Sequence, residues 1–307
     1  MAREPRTLYG ESGLVEITSR TQHGRYLLRP SEESNARILG ALGRAQANYG
    51  VWVHAFVVLS NHFHLLMSVL SAKQMSGFVR HFKGNVAKEL GGLHDWRENF
   101  WGRRYHHAEL GSSEEDQINR FLYILENGCK ENLVASPLEW PGVSSARALY
   151  RGETTMLGIW YDRTAQYRAS VRGQVKLFPS VETVRLTPMP FLEDCTVDEQ
   201  RQFVKDAIHR IERETAQRHK LNATKPLGVR AILRQNPHKP KELKSSPAPR
   251  FHAANREEFR ALQNARKATL AAYRDAAARL KQGETDVTFP EGCFPPPLPF
   301  VESRAPT

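Results

Sequence analysis

Cysteine is scarce, with only Cys129, Cys195 and Cys293 in 307 residues. They lie far apart and form no Cys-x-x-Cys pair, which argues against a disulfide framework and a cysteine-based zinc site. Long apolar runs are also missing, and without about 18 consecutive apolar residues no transmembrane helix is expected. The opening MAREPRTLYGESG has no apolar core of the kind a secretory leader needs, so a cytoplasmic location is expected. Acidic residues are the minority: 33 Asp and Glu face 44 Lys and Arg, a net charge of +11. That balance excludes an acidic solvating protein and points to a polyanionic partner, nucleic acid before an anionic membrane.

What is present is unevenly placed. Residues 1–155 carry 18 Lys and Arg against 16 Asp and Glu, a net of +2. Residues 201–281 carry 20 against 7, a net of +13. The division suggests chemistry in front and polyanion binding behind, although basic side chains also solvate exposed helices.

The front half mixes strand and helix patterns. VEITSRTQHGRYLL (15–28) reads as two extended runs around a turn at His23-Gly24. Residues 32–49 have helical spacing. VWVHAFVVLS (51–60) and HFHLLMSVL (62–70) read as a hairpin at the centre of a sheet. A helix over 72–90 ends at Gly91-Gly92, FWGRRYHHAEL (100–110) alternates like a strand, and Ser113 opens a helix over 114–130. After about residue 155 the strand signal fades. Capped helices follow over 196–220 and 255–282, with a Pro- and Lys-rich stretch (225–250) between them holding a short helix at 229–234. FPEGCFPPPLPF (289–300) reads as an extended tail against the protein. The fold class expected is α+β: helices packed on an antiparallel sheet over 1–155, then a basic, mainly helical accessory region over 156–307.

His62-Phe63-His64 is the sharpest feature. A strand places residues i and i+2 on one face, so both imidazoles point the same way. By spacing alone the pair is either half of a divalent-metal site or two ordinary core or surface histidines. On the helix after Ser113, Arg120, Tyr123, Asn127 and Lys130 form a polar stripe. A tyrosine flanked by cations, with an amide one turn on, suits a metal-bound phosphate: the phenolate attacks, the amide oxygen ligates, the cations hold phosphate oxygens. The other reading is an amphipathic helix with a half-buried tyrosine.

Taken together, LSNHFHLL, the Tyr123–Asn127 helix and NLVASPLEWPGVSSARAL resemble the single-tyrosine HUH transposases, in particular the REP-associated branch. The resemblance covers about residues 10–150. Gly128 stands where the family usually has proline, and Asn132 where it has glycine. The resemblance implies a ferredoxin/RRM-like catalytic domain in which His62, His64 and Asn127 hold Mg²⁺ or Mn²⁺. It implies that Tyr123 attacks single-stranded DNA near hairpins, leaving a 5′-phosphotyrosine and a free 3′-OH, and that rejoining reverses the step. A nucleoid-associated enzyme with no membrane partner follows, and a homodimer holding two ends is open.

Arg103, Arg104, Arg120, Lys130 and His106 are the candidate DNA contacts. His107 is assigned to DNA or the surface, His54 to core or surface, and Trp96, Trp101 and Tyr105 to packing or base stacking. Three rivals stand beside the transposase reading. One is a replication initiator or relaxase with HUH chemistry, which typically carries further tyrosines, a third histidine or a helicase. Another is a domesticated DNA-binding protein that keeps the fold without cleaving. The last is a zinc hydrolase, which lacks a third ligand at convincing spacing.

Overall fold

The alternation in LVEITSR and HFHLLMS sends Val15, Ile17, Phe63, Leu65 and Met67 into one core and leaves Glu16, Thr18, His62 and His64 on the opposite face. The computed structural model describes residues 6–241 and 248–297. Its first elements are β1 (Leu14–Arg20), α1 (Glu32–Tyr49), β2 (Trp52–Val58), β3 (His62–Ser68), α2 (Ala72–Leu93) and β4 (His106–Leu110). Next come α3 (Glu114–Lys130), α4 (Ala146–Arg151), β5 (Thr155–Tyr161), α5 (Arg163–Val171) and β6 (Pro179–Arg185). The rest are α6 (Val197–Leu221), α7 (Val229–Leu233), β7 (Phe251–His252) and α8 (Arg256–Lys281).

The main sheet has the order β2-β3-β1-β4-β7, antiparallel except for β7, which runs parallel to β4. The class is α+β, with a mostly antiparallel mixed sheet. On one face α1 and α2 bury Ile38, Leu42, Phe78, Phe82 and Val86 against β1 and β3. On the other, Phe121, Ile124 and Leu125 of α3 and Val204, Ile208 and Ile211 of α6 pack over Ala55, Val57 and Leu66. Each such buried side chain contributes about 1.5–3 kcal/mol. Helices of the back stretch therefore share a core with the strands that carry the histidines. Among the described residues no helix is long and apolar enough to cross a membrane.

Several local expectations need correction. The hairpin β2–β3 is not central, because β1 takes that place and β2 is the edge. β2 is nonetheless apolar because loops cover its edge: Val58 N donates to Val143 O at 2.8 Å, Ser145 N to Phe56 O at 3.0 Å and Thr187 N to Val53 O at 2.8 Å. Only the first of the two runs in 15–28 is a strand. The chain turns back at His23 and Gly24, which have φ of 52° and 63°, and Leu27 and Leu28 enter the core outside any strand, with Leu28 N donating to Ser60 O at 2.9 Å. α2 continues through Gly91-Gly92 to Leu93, and the strand expected over 100–110 is confined to His106–Leu110.

The strand signal does not end at residue 155. β5 and β6 form a separate two-stranded antiparallel sheet packed on α1. That approach depends on Gly40, where a Cβ would sit 2.0 Å from the Ile159 carbonyl oxygen. The tail touches the protein only in part: Thr7 Oγ1 donates to Glu291 O at 2.8 Å and Phe289 meets Tyr273 of α8 at 5.5 Å between rings, while Phe294 is exposed. Its residues 298–300 lie outside the described residues, as do 242–247 of the Pro- and Lys-rich stretch.

Candidate active site

β1 and β3 pair with Thr18 opposite His64 and Arg20 opposite His62, so both imidazoles rise from the face covered by α3. Their ring centroids lie 5.2 Å apart. α3 starts where Ser113 Oγ accepts the Asp116 amide at 3.2 Å, with Glu114, Glu115 and Asp116 favourably placed at its N-terminus. With Phe121, Ile124 and Leu125 buried, the helix turns Tyr123 toward the histidines, 5.5 Å from the His64 ring. The Arg120 guanidinium lies 3.8 Å and Lys130 Nζ 4.4 Å from the Tyr123 ring centroid, so the stripe surrounds the tyrosine with cations.

Each histidine is held through Nδ1. His62 Nδ1 donates to Asn61 Oδ1 at 2.7 Å, while Asn61 Nδ2 donates to Gly24 O and thereby fixes which way the amide faces. His64 Nδ1 donates to Glu16 Oε1 at 2.6 Å. An ionised carboxylate only accepts, so a proton sits on Nδ1, and Nε2 is the nitrogen left to face a ligand. Glu16 is 2% exposed. Burial pushes its carboxyl up, but hydrogen bonds from His252 and His64 and the charges of His64 and Arg120 outweigh it and hold Glu16 well below its usual range. Burial, reinforced by His64, Arg20 and Lys241, keeps the His62 imidazole well below its ordinary value, so it stays neutral. The Asn127 side chain reaches His62, yet its buried Oδ1 has no hydrogen-bond partner. An orphaned amide oxygen is costly unless something else satisfies it. The two imidazole Nε2 nitrogens and that oxygen are a donor set that fits a divalent cation. Among the described residues no cluster of three or more His, Cys, Asp and Glu could hold a metal, and here the third donor is an amide.

Residues 24–126 match the family model described as "Transposase IS200 like". That segment, about a third of the chain, is what is similar to the IS200-like transposases. It takes in His62, His64 and Tyr123 and stops one residue short of Asn127. Among solved structures, a REP-associated tyrosine transposase bound to a REP hairpin is 21% identical, with a TM-score of 0.41 over 50% of this chain and 87% of that one. A putative transposase from Deinococcus radiodurans R1 is 18% identical, with a TM-score of 0.29 over 40% of this chain and 95% of that one. No curated protein matches the chain.

The remaining candidate residues sort into two groups. Arg103 and Arg104 are exposed on the loop before β4, at the His62 end of the sheet, where Gly102 N donates to Arg20 O at 3.0 Å. The other group is tied up in the fold. His106 Nε2 bonds to Pro249 O at 2.7 Å, His107 Nε2 to Thr7 O at 3.0 Å, and His54 bridges the Thr187 and Pro188 carbonyls to Ser68. Trp101 packs on Phe63 and Phe100, Trp96 against Arg25 and His238, and Tyr105 under Arg6.

Sequence reasoning missed Glu16, Asn61, Arg20, Lys241 and His252. Only Asn61, adjoining His62, carried a local signal.

The buried histidines set a pH limit on the fold. Burial lowers His107 to about 4 despite its hydrogen bond to the Thr7 carbonyl. An unfolded chain takes up that proton below about pH 6.5, so the unfolded state binds more protons and stability falls as pH drops from about 6.5 to 4. His107 alone should remove about 3 kcal/mol by pH 4. Urea unfolding at pH 7 and pH 4 measures it: His107→Gln should lose less stability over that interval than the parent, and an equal loss contradicts the assignment.

Proposed function

We propose that this chain is a single-tyrosine DNA transposase that cuts and rejoins single-stranded DNA near hairpins. The observation that carries the reading is the meeting of Tyr123 with His64 and His62 beside the orphaned Asn127 oxygen. His62, His64 and Asn127 would hold Mg²⁺ or Mn²⁺. When bound, such a cation polarises the scissile phosphate and offsets charge as it develops.

The chain's own residues do the rest. The Tyr123 oxygen forms a bond to phosphorus as the bond to the 3′ oxygen breaks, and the departing oxygen takes a proton to become a 3′-OH. The 5′ side stays on the protein as a phosphotyrosine ester. Arg120 and Lys130, already stacked on the ring, stabilise the phenolate and the phosphate oxygens. Rejoining runs the step backward with a second 3′-OH, so the bond energy is kept and no nucleotide cofactor is consumed. Nucleophile and histidines come from one chain, so a homodimer would serve to hold two DNA ends rather than to assemble one site.

Incubation of the full chain with a hairpin-bearing single strand and Mn²⁺ tests the reading. An SDS-stable adduct that chelation abolishes is expected. Activity that persists in excess EDTA contradicts the metal role.

Polyanion binding by the back region needs gentler surgery than deletion, because α6 is part of the core. Arg260, Lys267 and Arg274 are exposed and recur every seven residues, on one stripe of α8. Changing all three to Gln should weaken binding and reduce the slope of log K against log salt by about 2, at about 0.7–0.9 for each phosphate no longer neutralised. An unchanged slope would assign that stripe another task.

A further inference from the structure

β7 is two residues long, and its side chains go to opposite faces of the sheet. Phe251 is buried, with its ring 6.0 Å from Tyr9 and 6.2 Å from Phe259. His252 points the other way, and its Nε2 donates to Glu16 Oε2 at 3.1 Å. Backbone bonds fix the register on β4: Glu109 N donates to Arg250 O at 3.0 Å and Gly111 N to His252 O at 2.8 Å. The same segment grips the start of α3, where Ala254 N donates to Asp116 Oδ1 at 2.7 Å. Ser112 N donates to Glu258 Oε1 at 2.6 Å. Nothing in the local pattern around Phe251-His252 marks it as part of a catalytic centre more than 120 residues away in the chain.

We infer that His252 is a positioning residue for the histidine pair, and that the site is complete only when the back region seats β7 on the sheet. The inference rests on the metal-and-tyrosine reading above and adds to it. Glu16 Oε1 accepts from both His64, at 2.6 Å, and Arg120, at 2.5 Å, while Oε2 has His252. One carboxylate thus links a metal-ligand candidate to the cation stacked on the nucleophile, and its rotation is set by His252. Remove that donor and the guanidinium can take both oxygens as a bidentate pair, its preferred geometry, drawing the carboxylate off His64. His64 then loses the acceptor that fixes its tautomer and ring angle. Partners of this kind typically matter by 10–100-fold in metal affinity.

The test is Mn²⁺ titration of the full-length protein without DNA, read from the loss of the free Mn²⁺ EPR signal. Four proteins are compared: the parent, His64→Ala, His252→Leu and His252→Gln. Leucine keeps the bulk without the donor, and glutamine keeps an N–H that can reach Glu16. His64→Ala should lose the tight site. His252→Leu should weaken it on the order of 10-fold, the low end for an outer partner, and His252→Gln should recover most of that loss. Hairpin binding in EDTA should be unchanged in both His252 variants, which checks that β7 and the fold persist.

If His252→Leu binds Mn²⁺ as the parent does, or if glutamine restores nothing, the positioning role is overturned. Should leucine prevent folding, the glutamine variant decides alone: near-parental affinity supports the donor role, and affinity weakened 10-fold or more overturns it. If His64→Ala itself keeps the tight site, the metal reading fails, and the inference with it.

Discussion

Tyr123→Phe protein should bind hairpin DNA as tightly as the parent and form no covalent adduct with it. The substitution deletes one oxygen and keeps the ring. Arg120 at 3.8 Å and Lys130 at 4.4 Å still have an aromatic face to rest on, and the packing against α3's neighbours is nearly conserved in volume, so the cost in stability should stay below about 1.5 kcal/mol. Binding therefore survives, while the atom that would be joined to phosphorus is gone. Cleavage should fall to background, a loss limited only by the assay. Gel-shift and denaturing-gel measurements on one hairpin strand check both halves, and an adduct at parental yield in Tyr123→Phe would remove Tyr123 from the reaction.

The second large effect is expected at His64. Metal-assisted stabilisation of a developing charge contributes several kcal/mol, and about 4 kcal/mol is about a thousandfold in rate. His64→Ala should lower single-turnover cleavage by about that factor, again with hairpin binding retained in EDTA. Glu16→Gln should show a smaller loss, about 10–100-fold in metal affinity, because an amide accepts from His64 more weakly than a carboxylate and can present its own N–H to Arg120. A His64→Ala protein that cleaves within a few-fold of the parent contradicts the assignment. So does a Glu16→Gln loss larger than that of His64→Ala.

The parts of the site that were legible in the sequence are those whose partners sit within one element. His62 and His64 share a face because a strand has period two, and Arg120, Tyr123, Asn127 and Lys130 align because a helix repeats near 3.6. Asn132, where the resembled family has glycine, has φ of 62° and ends α3 in a Schellman turn: Leu133 N donates to Gly128 O and Asn132 N to Cys129 O. Asparagine tolerates that left-handed position better than most residues, so the departure leaves the end of the helix intact. Gly128, where proline is usual, lies inside α3, and a Cβ there would approach Val134 to 3.2 Å.

What stayed hidden depends on pairing across long distances. Glu16 reads as one more polar position in an alternating strand until β1 is laid beside β3. His252 belongs to a two-residue strand too short to have a period. β5 and β6 escaped because 17 residues containing α5 separate them, and because charged side chains dilute the pattern of SVETVR. The front-and-back contrast in charge was legible, but charge alone could not show that α6 and β7 are built onto the sheet that carries the histidines.

Everything proposed for the site turns on Tyr123 becoming joined to DNA. Peptide mapping by mass spectrometry of the SDS-stable product, formed from a hairpin-bearing single strand in Mn²⁺, reads that bond directly. A single modified peptide containing Tyr123 is expected, with the nucleotide attached through its 5′ phosphate and the other fragment ending in a 3′-OH. Modification at any other residue, or cleavage at the parental rate with no protein-linked product, would contradict it.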